Sequence, residues 1–118
     1  MIALPPTCEL PTYTILVVDD DPVLRKILIR CMKNECHNIV EARDGQEAIE
    51  VYQQFKPNLV LLDASMPVMD GFECCAYLRQ LAPLQALPIL MITGLDDEKS
   101  VNAAFDAGAT DFITKPIH

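Results

Sequence analysis

Apolar residues along this chain fall into two alternating patterns. Short continuous runs, ILVV (15–18), NLVLL (58–62) and LPILMI (87–92), are separated by stretches in which apolar positions recur at helical spacing. HNIVEA (37–42) and TDFIT (110–114) complete a set of five strand candidates. Between the first two, Val23, Leu24, Ile27, Leu28, Cys31 and Met32 follow one another at i, i+4 and i+8, which predicts a helix with those residues inward. A second helix is expected from Asp44, where DGQE sets an aspartate cap three residues ahead of Glu47, with Ala48, Val51, Tyr52 and Phe55 as its apolar face. GFECCAYLRQL (71–81) predicts a third, with Phe72, Cys75, Ala76 and Leu78 or Arg79 near one stripe. A fourth is expected from near Asp96, turning Val101, Ala104 and Phe105 inward and stopping at Gly108 as a left-handed cap. Unbroken apolar strands are those buried on both faces, and strand-helix alternation implies an α/β fold with a doubly wound parallel sheet and right-handed crossovers.

At 118 residues the length fits one domain, and residues 1–13, with three prolines and no periodicity, are expected to form an extended leader ahead of it. No run approaches the roughly 18 apolar residues that a membrane span requires, and no basic segment precedes an apolar core at the N-terminus, so a cytoplasmic chain is expected. The net charge of −8 argues against direct contact with nucleic acid and favours a metal cation or a basic protein partner. Five cysteines (Cys8, Cys31, Cys36, Cys74, Cys75) contain no C-x-x-C spacing, and the grouping of Cys31, Cys36 and His37 is read as ordinary burial rather than a metal site.

In open α/β sheets ligands bind beyond the carboxyl ends of the strands. The first run ends in Asp19 and Asp20, the third in Asp63, the fourth in Thr93, and the fifth leads into Lys115-Pro116. Asp21 is explained by backbone chemistry alone, as a helix cap followed by proline at the first helical position. The others, taken singly, read as loop or surface residues; together they set three carboxylates, a hydroxyl and an ammonium on one edge. Clustered carboxylates repel unless a cation offsets them, and Mg²⁺ prefers one or two carboxylates, water and a phosphate oxygen. Lysine and threonine supply donors for a phosphoryl group, and one carboxylate can act as its nucleophilic acceptor.

ILVVDDDPVLR, LVLLDASMPVMDG, PILMITG and GATDFITKP together resemble the receiver domains of bacterial two-component response regulators, with a layout similar to the single-domain chemotaxis regulator. The resemblance runs from Thr14 to Pro116 and implies a flavodoxin-like five-stranded sheet of order 2-1-3-4-5, with the receiver domain over residues 14–118. It implies Asp63 as phosphoacceptor, Asp20 and Asp63 as Mg²⁺ ligands, Asp19 as a ligand through water, and Ser65 as donor of a backbone carbonyl to the metal. Thr93 and Lys115 would bond phosphoryl oxygens, and Phe112 would turn inward with Thr93 as the β4-α4-β5 face switches. Ser65 and Leu95 would set how easily water reaches the aspartyl phosphate.

The implied partners are a sensor histidine kinase or phosphotransfer protein and a C-terminal output domain, with neither nucleic acid nor membrane bound directly and with room for a homodimer. Such a domain phosphorylates and dephosphorylates only itself. It normally closes with a fifth helix beside the first, which has no counterpart before His118, so a fragment of a longer regulator with apolar surface exposed on that face is expected. The alternative is a Mg²⁺-dependent phosphatase or phosphotransferase with an aspartate nucleophile. Such enzymes place a second aspartate two residues past the nucleophile, where this chain has Ser65.

Overall fold

The computed structural model describes residues 13–32, 37–83, 86–94 and 98–115. The chain runs β1 (Tyr13–Val18), α1 (Pro22–Met32), β2 (His37–Ala42), α2 (Gly45–Phe55), β3 (Leu59–Asp63), α3 (Gly71–Leu81), β4 (Ile89–Thr93), α4 (Glu98–Asp106) and β5 (Asp111–Thr114). All strand pairs are parallel, in the order β2-β1-β3-β4-β5, as expected. The leader through Thr12, Cys36, Leu95, the expected helix start at Asp96, and Pro116 lie outside the described residues.

The continuous apolar strands work by splitting their side chains between two cores. Leu16, Val18, Val60, Leu62 and Met91 point to one side, where α2, α3 and α4 supply Ala48, Tyr52, Cys75, Leu78 and Ala104. Ile15, Val17, Leu61 and Ile92 point to the other, where Leu28 of α1 is buried and Leu24, Ile29 and Met32 pack beside it. Among the described residues α1 is the only helix on that side. Apolar exposure on that side is shared between α1, where Val23 and Ile27 are exposed, and the β5 edge, where Ile113 is 41% exposed, while Ile92 and Leu61 stay buried.

Helix starts follow the caps in the sequence, and the faces are corrected. Asp21 Oδ1 accepts the N–H groups of Val23 (2.9 Å) and Leu24 (3.4 Å), so Pro22 is the first helical residue of α1. Asp44 Oδ1 accepts Glu47 N–H at 2.8 Å, but Glu47 reaches back to the N–H and guanidinium of Arg43 instead of closing on Asp44 itself. In α1 the stripe expected inward is split, with Val23, Ile27 and Cys31 exposed. Phe55 and Phe105 are also exposed, whereas Ile49 and Cys74 are buried, and Ala76 faces outward. Each shift moves the buried arc by about one residue, a rotation of roughly 100° at 3.6 residues per turn.

At the edge of the sheet away from the strand carboxyl ends, Arg79 of α3 ties the α3–β4 and α4–β5 connections together. It donates to the carbonyls of Gly108 (2.6 Å) and Leu87 (2.6 Å) and to Thr110 Oγ1 (3.2 Å). Gly108 has φ +102°, and a Cβ there would sit 2.4 Å from Arg79 Cγ, so glycine is required on both counts.

Close approach also fixes Gly71 at the start of α3. A Cβ at 71 would lie 2.2 Å from the Asp63 carbonyl oxygen and 2.7 Å from Ala64 Cα, both backbone atoms, whereas one at Gly94 meets nothing within 4 Å. Gly71→Ala is therefore expected to cost more than about 2 kcal/mol in urea denaturation, and Gly94→Ala to stay within about 0.5 kcal/mol of the parent chain. Equal costs at the two positions would contradict the close-approach account.

Candidate functional site

The loops that follow β1, β3, β4 and β5 converge at one end of the sheet. β1 delivers Asp19, which is 1% exposed, and the exposed Asp20; β3 ends in buried Asp63, and β4 in buried Thr93. The Lys115 N–H bonds the Thr93 carbonyl at 2.7 Å, extending the β4–β5 pairing and bringing the lysine alongside. Carboxylate oxygens of Asp19, Asp20 and Asp63 lie within 4.8 Å of one another. Lys115 Nζ donates to Asp63 Oδ1 at 3.0 Å and stands 3.8 Å from Asp19 Oδ2.

The loop after β3 is held in a strained shape. Met69 N–H bonds the Pro67 carbonyl at 2.7 Å across Val68, whose φ is +71°, a γ-turn rare for a β-branched residue. Gly71 N–H then closes on the Ala64 carbonyl at 2.9 Å. This loop and Thr93-Gly94 frame a cleft of about 550 Å³ lined by Ser65, Met66, Asp70 and Phe72. Phe112 is half-buried, in edge contact with Phe105 at 5.9 Å between ring centroids.

All the site residues expected from the strand ends, Asp19, Asp20, Asp63, Thr93 and Lys115, are thus at one edge, with Ser65 on the rim of the adjoining cleft. The cysteines stand apart from it. Cys74 and Cys75 are buried, their thiols pushed by burial up to about 12 and about 11, and Cys31 is exposed at the far end of α1. Sequence reading passed over Arg25, whose guanidinium bonds the Asp19 carbonyl at 2.7 Å and Glu41 Oε1 at 3.1 Å. A basic residue on a helix reads as solvated, and carbonyl acceptors carry no sequence signal.

Electrostatics at this edge is unbalanced. Asp19 Oδ1 accepts the Asp21 N–H at 2.9 Å, but Oδ2 is buried without a hydrogen-bond partner among the described residues. Burial, seconded by the charges of Asp63 and Asp20, pushes the Asp19 carboxyl up to about 6, against the Asp21 N–H and Lys115. Burial also opposes the charge on Lys115, yet the hydrogen bond and charge of Asp63, with Asp19 and Asp20, outweigh it and raise the ammonium pKa. A buried carboxylate oxygen left without a donor, beside two more carboxylates and no sulfur or imidazole, fits a hard divalent cation with oxygen ligands.

A five-stranded parallel α/β sheet with an acidic pocket and a lysine at its carboxyl edge is a class of site suited to a divalent cation beside a phosphoryl group. The family model of the response regulator receiver domain matches residues 15–118. The chain belongs to that family, whose members work in two-component systems and typically bind Mg²⁺ at an acidic pocket. It is 40% identical over 103 residues to the response regulator MprA of Mycolicibacterium vanbaalenii, covering 87% of this chain and 44% of that protein. The chain therefore spans less than half the length of such curated relatives. The chemotaxis protein CheY4 of Vibrio cholerae superposes with a TM-score of 0.84 at 28% identity, covering 91% of this chain and 89% of that one. A CheX-CheY-BeF3-Mg complex from Borrelia burgdorferi gives 0.83 at 32% identity, covering 92% and 81%. No helix among the described residues is long and apolar enough to cross a membrane.

The Asp19 shift sets a pH dependence. Its folded-state pKa of about 6 lies above the ordinary 3.8, so between these values the folded chain retains a proton that the unfolded chain has released. Stability contributed by this group accordingly falls as pH rises through the window. Asp19→Asn keeps the acceptor for Asp21 N–H and removes the charge. In metal-free buffer it is expected to exceed the parent chain at pH 7 by on the order of 2 to 3 kcal/mol, the two converging toward pH 4 in chemical denaturation. A less stable Asn variant at pH 7 would refute the burial account.

Proposed function

We propose that Asp63 accepts a phosphoryl group from a histidine kinase or phosphotransfer protein, in a Mg²⁺-dependent reaction that switches the β4-α4-β5 face. One observation carries this reading: Asp63 is buried at the end of β3, with two further carboxylates within 4.8 Å and the Lys115 ammonium 3.0 Å away. Asp20 and Asp63 would hold Mg²⁺ directly, Asp19 through a water and Ser65 through its backbone carbonyl. Bound there, the cation offsets the carboxylate charges and the charge of the incoming phosphoryl oxygens. The Borrelia burgdorferi CheY complex, which contains BeF3 and Mg, supports the assignment by analogy.

In the transfer an Asp63 carboxylate oxygen attacks phosphorus in line, the O–P bond forms, and the P–N bond of a phosphohistidine breaks with its electron pair leaving on nitrogen. Lys115, already on Asp63 Oδ1, stabilises the added negative charge, and the Thr93 hydroxyl can donate to a second phosphoryl oxygen facing the cleft beside Ser65. Drawing Thr93 and Lys115 toward the new charge biases the β4-α4-β5 edge, with Phe112 following Thr93 inward. The domain would modify only itself, at Asp63.

The receiver is read as residues 14–118 behind a leader over 1–13 in a cytoplasmic regulator, with Tyr13 drawn into the first strand. The longer MprA relative supports a C-terminal output domain. Contact with nucleic acid would then be made outside this acidic domain, and self-association of the α4-β5 edge is compatible with the reading.

Incubation with acetyl phosphate and Mg²⁺ should add one phosphoryl group by intact mass. Asp63→Asn or chelation of the metal should abolish the adduct, and Lys115→Ala should leave the chain folded while reducing it. No adduct on the parent chain, or an undiminished one on Asp63→Asn, overturns the proposal.

A further inference from the structure

We infer that Arg25 is a positioning residue for the Mg²⁺ site, an inference that rests on the reading of Asp20 and Asp63 as metal ligands. The backbone of Asp19 is held on both sides. Its N–H bonds the Ala42 carbonyl at 3.2 Å, the last rung between β1 and the end of β2, and its carbonyl accepts Arg25 at 2.7 Å. That carbonyl lies in the planar peptide joining Asp19 to Asp20, so the guanidinium fixes the plane from which Asp20 departs. Asp20 is exposed, and its direction is set by this backbone rather than by packing. Arg25 is in turn held by Glu41 at 3.1 Å, its side chain only 14% exposed against 49% for Glu41. The fork thus bridges the end of β1 to β2 from the first turns of α1, with Nε on Glu41 and Nη1 on the Asp19 carbonyl, a fixed spacing of donors that the shorter lysine side chain with its single nitrogen does not reproduce.

Charge and geometry predict opposite signs here. A cation near the pocket repels Mg²⁺, so removing it should tighten metal binding if charge alone matters. If Arg25 positions the Asp19–Asp20 peptide, removing it should weaken binding, by about tenfold or more as is usual for groups that orient metal ligands.

Calorimetric titration of MgCl₂ into the full chain, with thermal melts in parallel, decides between them. Arg25→Ala is expected to weaken Mg²⁺ binding by about tenfold or more, and Arg25→Lys to fail to restore it. Unchanged or tighter binding in Arg25→Ala overturns the inference, even if its melting temperature falls, since a merely structural role would lower stability without altering the affinity of the folded chain. Full affinity in Arg25→Lys overturns the two-point bridge as well, and that variant decides alone if the alanine variant does not fold. Absent Mg²⁺ binding in the parent chain, or parental affinity in Asp20→Asn, defeats the metal-site reading and this inference with it.

Discussion

Like charges held at one sheet edge are the constraint around which this domain is arranged. Asp19 and Asp63 are buried, Asp20 stands beside them, and the one ammonium within reach among the described residues, Lys115, bonds Asp63 and leaves Asp19 Oδ2 without a donor. Such an arrangement is tolerated because the rest of the fold holds it rigidly. Two apolar cores clamp the strands, Gly71 lets α3 press against the Asp63 carbonyl, and β5 docks on β4 through the Lys115 N–H. The unmet charge is confined to the edge, while the cores beneath it are apolar.

The sheet and its edge were legible in the sequence because both depend on one-dimensional signals. A continuous apolar run must be buried on both faces, and the residue after it must lie at a strand end, so Asp19, Asp20, Asp63, Thr93 and Lys115 could be collected without knowing any distance. The caps were equally readable, since Asp21 and Asp44 bond their own next turns.

Helix faces were less legible. An apolar stripe wider than the contact it makes admits a rotation, and Val23, Ile27, Phe55 and Phe105 fell on the solvent side while Ile49 and Cys74 turned inward. The bonds made by Arg25 and Arg79 were invisible for a different reason. Each satisfies backbone carbonyls of distant segments, and an acceptor that every residue possesses leaves no trace in the order of side chains.

The Arg79–Gly108 contact bears on how such a chain can diverge. The arginine stem fills the space where any β-carbon at 108 would stand, and its head satisfies the carbonyl of 108 itself. Shortening position 79 opens that space but strands the carbonyls of Leu87 and Gly108, and enlarging 108 evicts the group that bonds them. Neither position can drift alone. The two residues, one near the end of α3 and the other just past α4, 29 apart in the chain, are spatially one element.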